Sequence, residues 1–240
     1  MASNLKTTHK GTILGYFWWL LEPLLLMGVY FVLVSIIFKR GGRDYPVFLF
    51  CALLPWQFFA KSISQSIDSV ISKAQLMKQI AFPKGVLPLS VVLSNFVNFL
   101  FGIIVLFIIL LLYKIKITWW AFLFFPLILL QLTFTIGFAF FLSCFSIYFR
   151  DVKFAMRFVL RIWFYLSPGL YPLSLIPEQY HTIYLLNPFA VFFNSYREVL
   201  IYGTFPKMSF VGVAFLISIA VFFGGLIYFT VSEEKIVKMV

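Results

Sequence analysis

Residues 86–113, VLPLSVVLSNFVNFLFGIIVLFIILLLY, contain no charged side chain. About 20 apolar residues in a helix cross the hydrocarbon core of a bilayer, and this run is longer than that. Comparable runs occupy residues 16–38, 46–72, 117–149, 154–173 and 208–230. A chain in lipid must satisfy its backbone polar groups internally, so each run reads as a helix. The expected fold is an all-α membrane protein of six transmembrane helices in one unit, residues 1–240. Glu22-Pro23 is expected to interrupt the first run early. The fourth is expected to tilt, or to break near Pro126 or Gly137. Composition agrees: 62% of residues are hydrophobic and 11% charged, against about a quarter charged in soluble domains. A surface so poor in charge would show water large apolar patches. The basic N-terminus and its apolar run also have the outline of a signal peptide. No small-residue cleavage site follows the first part, so a retained first span is expected.

The net charge is +11. Its basic residues lie between apolar runs, where they set topology or meet anionic headgroups; no basic run interleaves with polar loops, so nucleic acid is not an expected partner. With both termini inside, the inner side receives Lys6, Lys10, Lys73, Lys78, Lys84, Arg150, Lys153, Arg157, Lys235 and Lys238. The outer side receives Lys39, Arg40, Arg43, Lys114, Lys116, Arg197 and Lys207. Ten against seven favours cytoplasmic termini. Cys51 and Cys144 fall in apolar runs and read as core residues, and His9 and His181 have no ligand-type neighbours, so no metal is expected. The sequence has no GxxxxGK[ST], HExxH or GxSxG pattern. Of its 8 acidic residues, Glu22, Asp68 and Asp151 lie in or beside spans, and they form no acid/base pair. The chain is therefore not expected to be an enzyme.

Four features carry functional meaning. In the second run, Gln57, Lys61, Ser64/Gln65, Asp68 and Ser72 recur every three or four residues, on one helical face. They line a hydrophilic path, with Lys61 and Asp68 as a possible pair, or they mark a helix whose second half leaves the membrane. Arg150, Lys153, Arg157 and Arg161 make a basic ladder on the fifth run. It fits an anion site for a lipid-linked pyrophosphate, or snorkelling anchors on the inner side. Tryptophans 18, 19, 56, 119, 120 and 163 fall near span ends and read as an interfacial belt; the 33 Phe and 12 Tyr are core, or in part a channel lining that stacks on sugars. Residues 183–193 are apolar, too short to cross and divided by Pro188, so residues 174–207 read as a re-entrant or interfacial pair of helices. Pro168-Gly169 and Tyr171-Pro172 turn the chain into them. Residues 5–15 fit an interfacial amphipathic helix.

Between the second and third runs lies SKAQLMKQIAFPKGVLPLS (72–90). Residues 73–80 suit a short helix with Leu76, Met77 and Ile80 packing and Lys73 and Lys78 exposed, and Phe82-Pro83-Lys84-Gly85 stops it. An ordinary cytoplasmic loop fits as well. The stretch resembles the coupling-helix loop of type-2 ABC exporter permeases, N-A-x-L-I-x-K-x-x-F-P-x-x-x-L-P-L, with Lys73 where Asn is common. YFRDVKF (148–154) is similar to that family's Y-x-R-D-[VI]. SPGLYPLSLIPEQYHTIYLLNPFAVFFNSYREVLIYG (167–203) resembles its S-P-x-x-Y-P, L-N-P and Y-R series, and HKGTILGYFWWLLEPL (9–24) its N-terminal pattern.

Within the family the chain looks most like polysaccharide exporters, the permeases for O antigen and teichoic acid. The resemblance implies a homodimer in the bacterial cytoplasmic (inner) membrane, bound to two copies of a separate ABC ATPase subunit that carries ATP and Mg. It implies an interfacial helix at 1–15, a coupling helix at 73–82 with Lys73, Gln75, Leu76, Met77 and Lys78 on the ATPase, and external gating helices at 174–203. The gate would use Pro168, Tyr171, Pro172, Asn187 and Pro188. Lys153, Arg157 and Arg161 would meet the pyrophosphate of a polyprenyl-linked polysaccharide, and Gln57, Lys61, Gln65 and Asp68 would face the channel. A same-fold exporter of a drug, lipid or other small molecule is the alternative.

Overall fold

The computed structural model describes residues 18–39, 41–73, 82–149 and 151–239. Among them there are helices and turns and no strand. Helix α1, Trp18–Phe31, continues through a wide π turn, Val32–Ile37. It runs through Pro23 without interruption, contrary to the sequence expectation. Helix α2, Tyr45–Ser69, has Pro46 in its first turn, where no N–H is needed. Helix α3, Val86–Leu112, follows a turn in which the Val86 N–H donates to the Pro83 carbonyl.

Helix α4, Phe124–Tyr148, is preceded by a tight turn, Trp119–Leu123. The expected break therefore lies at the start of the helix. Pro126 sits in the first turn, where proline is tolerated, and Gly137 lies in unbroken helix. Helix α5, Val152–Leu166, ends earlier than the expected span of 154–173. Ser167 is extended because Pro168 follows it, and residues 167–172 form an elbow. Two helices follow: α6, His181–Leu185, and α7, Pro188–Arg197, the latter prolonged by a wide turn, Glu198–Tyr202. Helix α8 is Met208–Met239.

Among the described residues, four helices are long and apolar enough to cross a bilayer: α2, α3, α4 with its preceding turn, and α8. Helix α5, with 15 residues, is about 22 Å long, less than the hydrocarbon thickness of about 30 Å.

Helix α2 is the hub: α1, α3, α4, α5 and α7 all pack on it. Of its 25 residues, 19 are buried. Helix α7, too short to cross, is enclosed by α2, α4 and α8, and its residues 188–193 and 195–197 are all buried. Apolar faces remain open on α1 (Leu25, Val29, Ile36), α3 (Leu100, Ile104, Leu111), α5 (Phe158, Ile162, Leu166) and α8 (Phe215, Leu216, Phe223). Surfaces of this kind suit lipid or another apolar partner.

Helices α4 and α8 pack along each other, and they cross at Gly137 and Gly225. A Cβ on Gly137 would lie 2.4 Å from the Phe222 Cα, and one on Gly225 would lie 2.0 Å from the Gly137 carbonyl oxygen. The obstacle is backbone, which cannot swing aside. Close glycine contact lets helices in lipid gain dispersion energy without a hydrophobic drive. Gly225→Leu should therefore destabilise the detergent-solubilised chain by about 2 kcal/mol or more. A leucine at the adjacent Gly224, which has open space around its Cβ position, should leave the thermal melting curve unchanged.

Candidate functional site

Six residues of α2 escape burial: Gln57, Ala60, Lys61, Ser64, Gln65 and Asp68. At 100° per residue they span an arc of about 140°. The polar face read from the sequence is thus the single open strip of an otherwise enclosed helix. Asn95 of α3 donates its amide to the Gln65 side-chain oxygen at 2.8 Å, along one border of the strip.

The expected Lys61–Asp68 pair does not form. Seven residues along a helix put them about 10 Å apart, and each has a partner on another helix. Lys61 Nζ lies 2.6 Å from Glu22 Oε2 of α1. Asp68 Oδ2 lies 2.7 Å from Lys153 Nζ of α5. The strip therefore runs between α1 and α5, tied to each by one ion pair. All four side chains are partly exposed, and in water such pairs contribute only about 0–1 kcal/mol each. Their structural meaning is that the charges of α1, α2 and α5 meet on the strip. Glu22 was legible as a lone acid in an apolar run, but its partner was not. Helices α1 and α5 also meet where the Tyr30 and Tyr165 hydroxyls lie 3.2 Å apart.

On α5, Met156, Leu160 and Phe164 are buried at a four-residue spacing and fasten the helix to the core. Lys153 shares that side of the helix below its packed part, Arg157 and Arg161 follow along its border, and all three are exposed. Arg157 stacks over the Phe154 ring, 5.0 Å from its centroid. The basic ladder therefore exists as a surface adjoining the polar strip.

At the opposite end from Lys153, polar groups fasten the elbow. Asn187 caps α7, its side-chain oxygen accepting from the Phe189 N–H at 3.1 Å and from the Trp163 ring N–H at 2.9 Å. Its amide donates to the Ser167 hydroxyl at 2.8 Å. Pro188 occupies the first helical position after this cap. Tyr171 and Tyr184 meet through their hydroxyls at 3.1 Å.

Arg197, assigned from the sequence to the outer side, is 1% exposed. Its guanidinium donates to the carbonyls of Pro168, Gly169 (2.6 Å) and Phe48 (3.2 Å), and it lies 3.4 Å from the centroid of the Phe48 ring. Burial presses its pKa down to about 9, which leaves it cationic at neutral pH. No carboxylate pairs with it among the described residues. Carbonyl dipoles and an aromatic face hold the charge. Pro168 is buried in this clamp, whereas Tyr171 and Pro172 lie beyond it and are partly open.

Between strip and elbow lies a packed aromatic group. Trp56 is 7% exposed and meets Trp163, Phe164 and Phe189 edge-on or tilted at centroid distances of 4.8–6.2 Å. Trp56 and Trp163 are therefore core residues and not part of an interfacial belt, because their rings close the contact of α2, α5 and α7. Trp119 and Trp120 are exposed, as a belt requires. A buried relay, Tyr196 hydroxyl to the Gln131 side-chain oxygen (2.6 Å) and Gln131 amide to the Pro55 carbonyl (2.8 Å), joins α7, α4 and α2. Nothing in the sequence marked Gln131, and Tyr196-Arg197 stood out only as the Y-R of the family pattern, with no role attached. Cys51 and Cys144 are buried core residues, as expected.

Lys73 closes a short turn, Ile71–Lys73, at the end of α2. The other coupling-segment residues, Gln75, Leu76, Met77 and Lys78, lie outside the described residues, as do the 1–15 segment and Arg150.

A family model described as ABC-2 type transporter matches residues 3–201. The chain is 32% identical over 198 residues to the O-antigen export system permease protein RfbA of Myxococcus xanthus, covering 82% of this chain and 76% of that protein. It is 34% identical over 205 residues to an O-antigen export system permease protein RfbA of Klebsiella pneumoniae, covering 84% and 78%. It is also 25% identical over 246 residues to the polysialic acid transport protein KpsM of Escherichia coli, covering 96% and 91%.

Arg197→Leu would leave the Pro168 and Gly169 carbonyls buried without a donor. The expected loss of stability is about 3 kcal/mol, read from thermal melting in detergent. Arg197→Lys keeps the charge but not the planar fork, and should recover only part of it.

Proposed function

The chain belongs to the ABC-2 type transporter family, and we propose that it is the permease subunit of a polysaccharide exporter, moving a polyprenyl-pyrophosphate-linked glycan outward across the cytoplasmic membrane. Its family supplies membrane components, and ATP is hydrolysed on a separate subunit. The reading draws its cargo from relatives named for O-antigen export and polysialic acid transport.

The observation that carries the mechanism is the polar strip of α2 beside the basic face of α5. A glycan needs hydrogen-bonding side chains along its path, which Gln57, Ser64, Gln65 and the two ion pairs supply. A pyrophosphate needs cations near where it enters, and Arg157 and Arg161 stand exposed for that role. In this reading two copies pair, since α1 and α5 leave apolar outer faces open. Each copy crosses the membrane six times with both termini in the cytoplasm. Helix α1 with its π turn, and α5 extended by the elbow, add two crossings to the four long helices. Residues 73–82 dock into the ATPase. Residues 171–186 are the movable part of the external gate, because Arg197 holds Pro168 on one side and the Asn187 cap holds the start of α7 on the other.

Two measurements test this. Alanine at both Leu76 and Met77 should weaken capture of the ATPase subunit on co-purification about tenfold while leaving membrane insertion intact; unchanged capture contradicts a coupling helix. Replacing Arg157 and Arg161 together with Gln should cut export about tenfold or more, and normal export would make them anchors.

A further inference from the structure

A second apolar cluster, separate from the main core, sits at the Lys153 end of the molecule. It consists of Val70, Leu87, Phe140, Cys144 and Phe229, with Phe82 packed on it. These residues belong to the end of α2, the start of α3, the later halves of α4 and α8, and the chain entering α3. The two flanks of segment 74–81 thus rest on one pad: Val70 before it and Phe82 after it. The approach is close, since a Cβ on Gly85 would lie 3.3 Å from the Phe140 ring and 3.6 Å from the Phe229 ring.

A directional bond ties the chain entering α3 to α8 across this pad. The Lys84 backbone N–H donates to Glu233 Oε1 of α8 at 2.8 Å, joining positions 149 residues apart. This amide stands just ahead of the first turn of α3, where helix donors lack intrahelical partners. The neighbouring donors are used locally, Val86 N–H to the Pro83 carbonyl and Leu87 N–H to the Lys84 carbonyl. Apolar contact alone is non-directional, so the pad could slide. A carboxylate bonded to an amide fixes the register.

We propose that Glu233 is a positioning residue that transmits motion of segment 73–82 into α8. A push on the flank at Phe82–Gly85 moves the start of α3 and the end of α8 together. Helix α8 in turn carries α4, because the Gly137–Gly225 crossing has no side chain to yield. The ATPase stroke therefore enters the membrane through α8 and α4 as one body. The proposal rests on the reading of this chain as an ATPase-driven permease.

The test uses the full chain co-purified with its ATPase subunit and reconstituted in proteoliposomes containing a synthetic polyprenyl-diphosphate oligosaccharide. In Glu233→Ala, capture of the ATPase and ATP hydrolysis should stay within about twofold of wild type. Export per ATP hydrolysed should fall about tenfold, and hydrogen exchange at the Lys84 amide should rise about tenfold. Glu233→Gln, which keeps an acceptor oxygen, should restore both to within about twofold. Wild-type export per ATP in Glu233→Ala overturns the proposal, as does unchanged exchange at Lys84. Loss of ATPase capture also overturns it, by making Glu233 a docking or folding residue. A wild-type complex that hydrolyses ATP but exports nothing overturns the cargo reading first, and this proposal with it.

Discussion

Helix α2 is packed on by five other helices, and this leaves one strip of about 140° for its large polar and charged side chains. In lipid a polar group must find a protein partner or a hydrated surface. Ser62 and Ser66 are small enough to sit on the packed faces. Gln57, Lys61, Gln65 and Asp68 are too large or too polar for those faces, and they collect on the strip beside Ser64. The ion pairs to Glu22 and Lys153 follow, since charges confined to one strip meet the helices along its borders.

The buried polar groups away from the strip act as fasteners. Arg197 and Asn187 hold the elbow between α5 and α7. Gln131 and Tyr196 join α7, α4 and α2. Each is bonded by its side chain to groups on other elements inside the protein, which makes those contacts rigid. The strip, by contrast, is bordered by partly exposed ion pairs worth little individually. Stiff joints beside a loosely tied polar face suit a transporter, which must hold its helices together while a hydrophilic path changes shape.

The long apolar helices and the polar strip were legible because both depend on spacing within one segment. Lys61, Gln65 and Asp68 share a face by arithmetic alone. Their partners were not legible, because Glu22 and Lys153 reach the strip only through packing between helices. The same limit explains Trp56 and Trp163. A tryptophan near a span end fits an interfacial belt unless other aromatics close over it, and Phe164 and Phe189 do so here. Gly137 read as a breaker, but its missing side chain serves contact with α8. Arg197 counted only as an outer-side charge, because nothing local shows that three backbone carbonyls converge on it. Pro168 and Gly169 did signal the turn out of α5, since proline and glycine act on their own neighbours.

The central claim is that the open strip of α2 faces water inside the membrane while its other sides form the core. Single cysteines along α2, in a background where Cys51 and Cys144 are alanine, can be challenged in intact membranes with a membrane-impermeant thiol reagent. Positions 57, 61, 64, 65 and 68 should react, and positions 58, 59, 62, 63 and 66 should stay protected. Uniform protection along the strip, or labelling of the packed positions, would contradict the account.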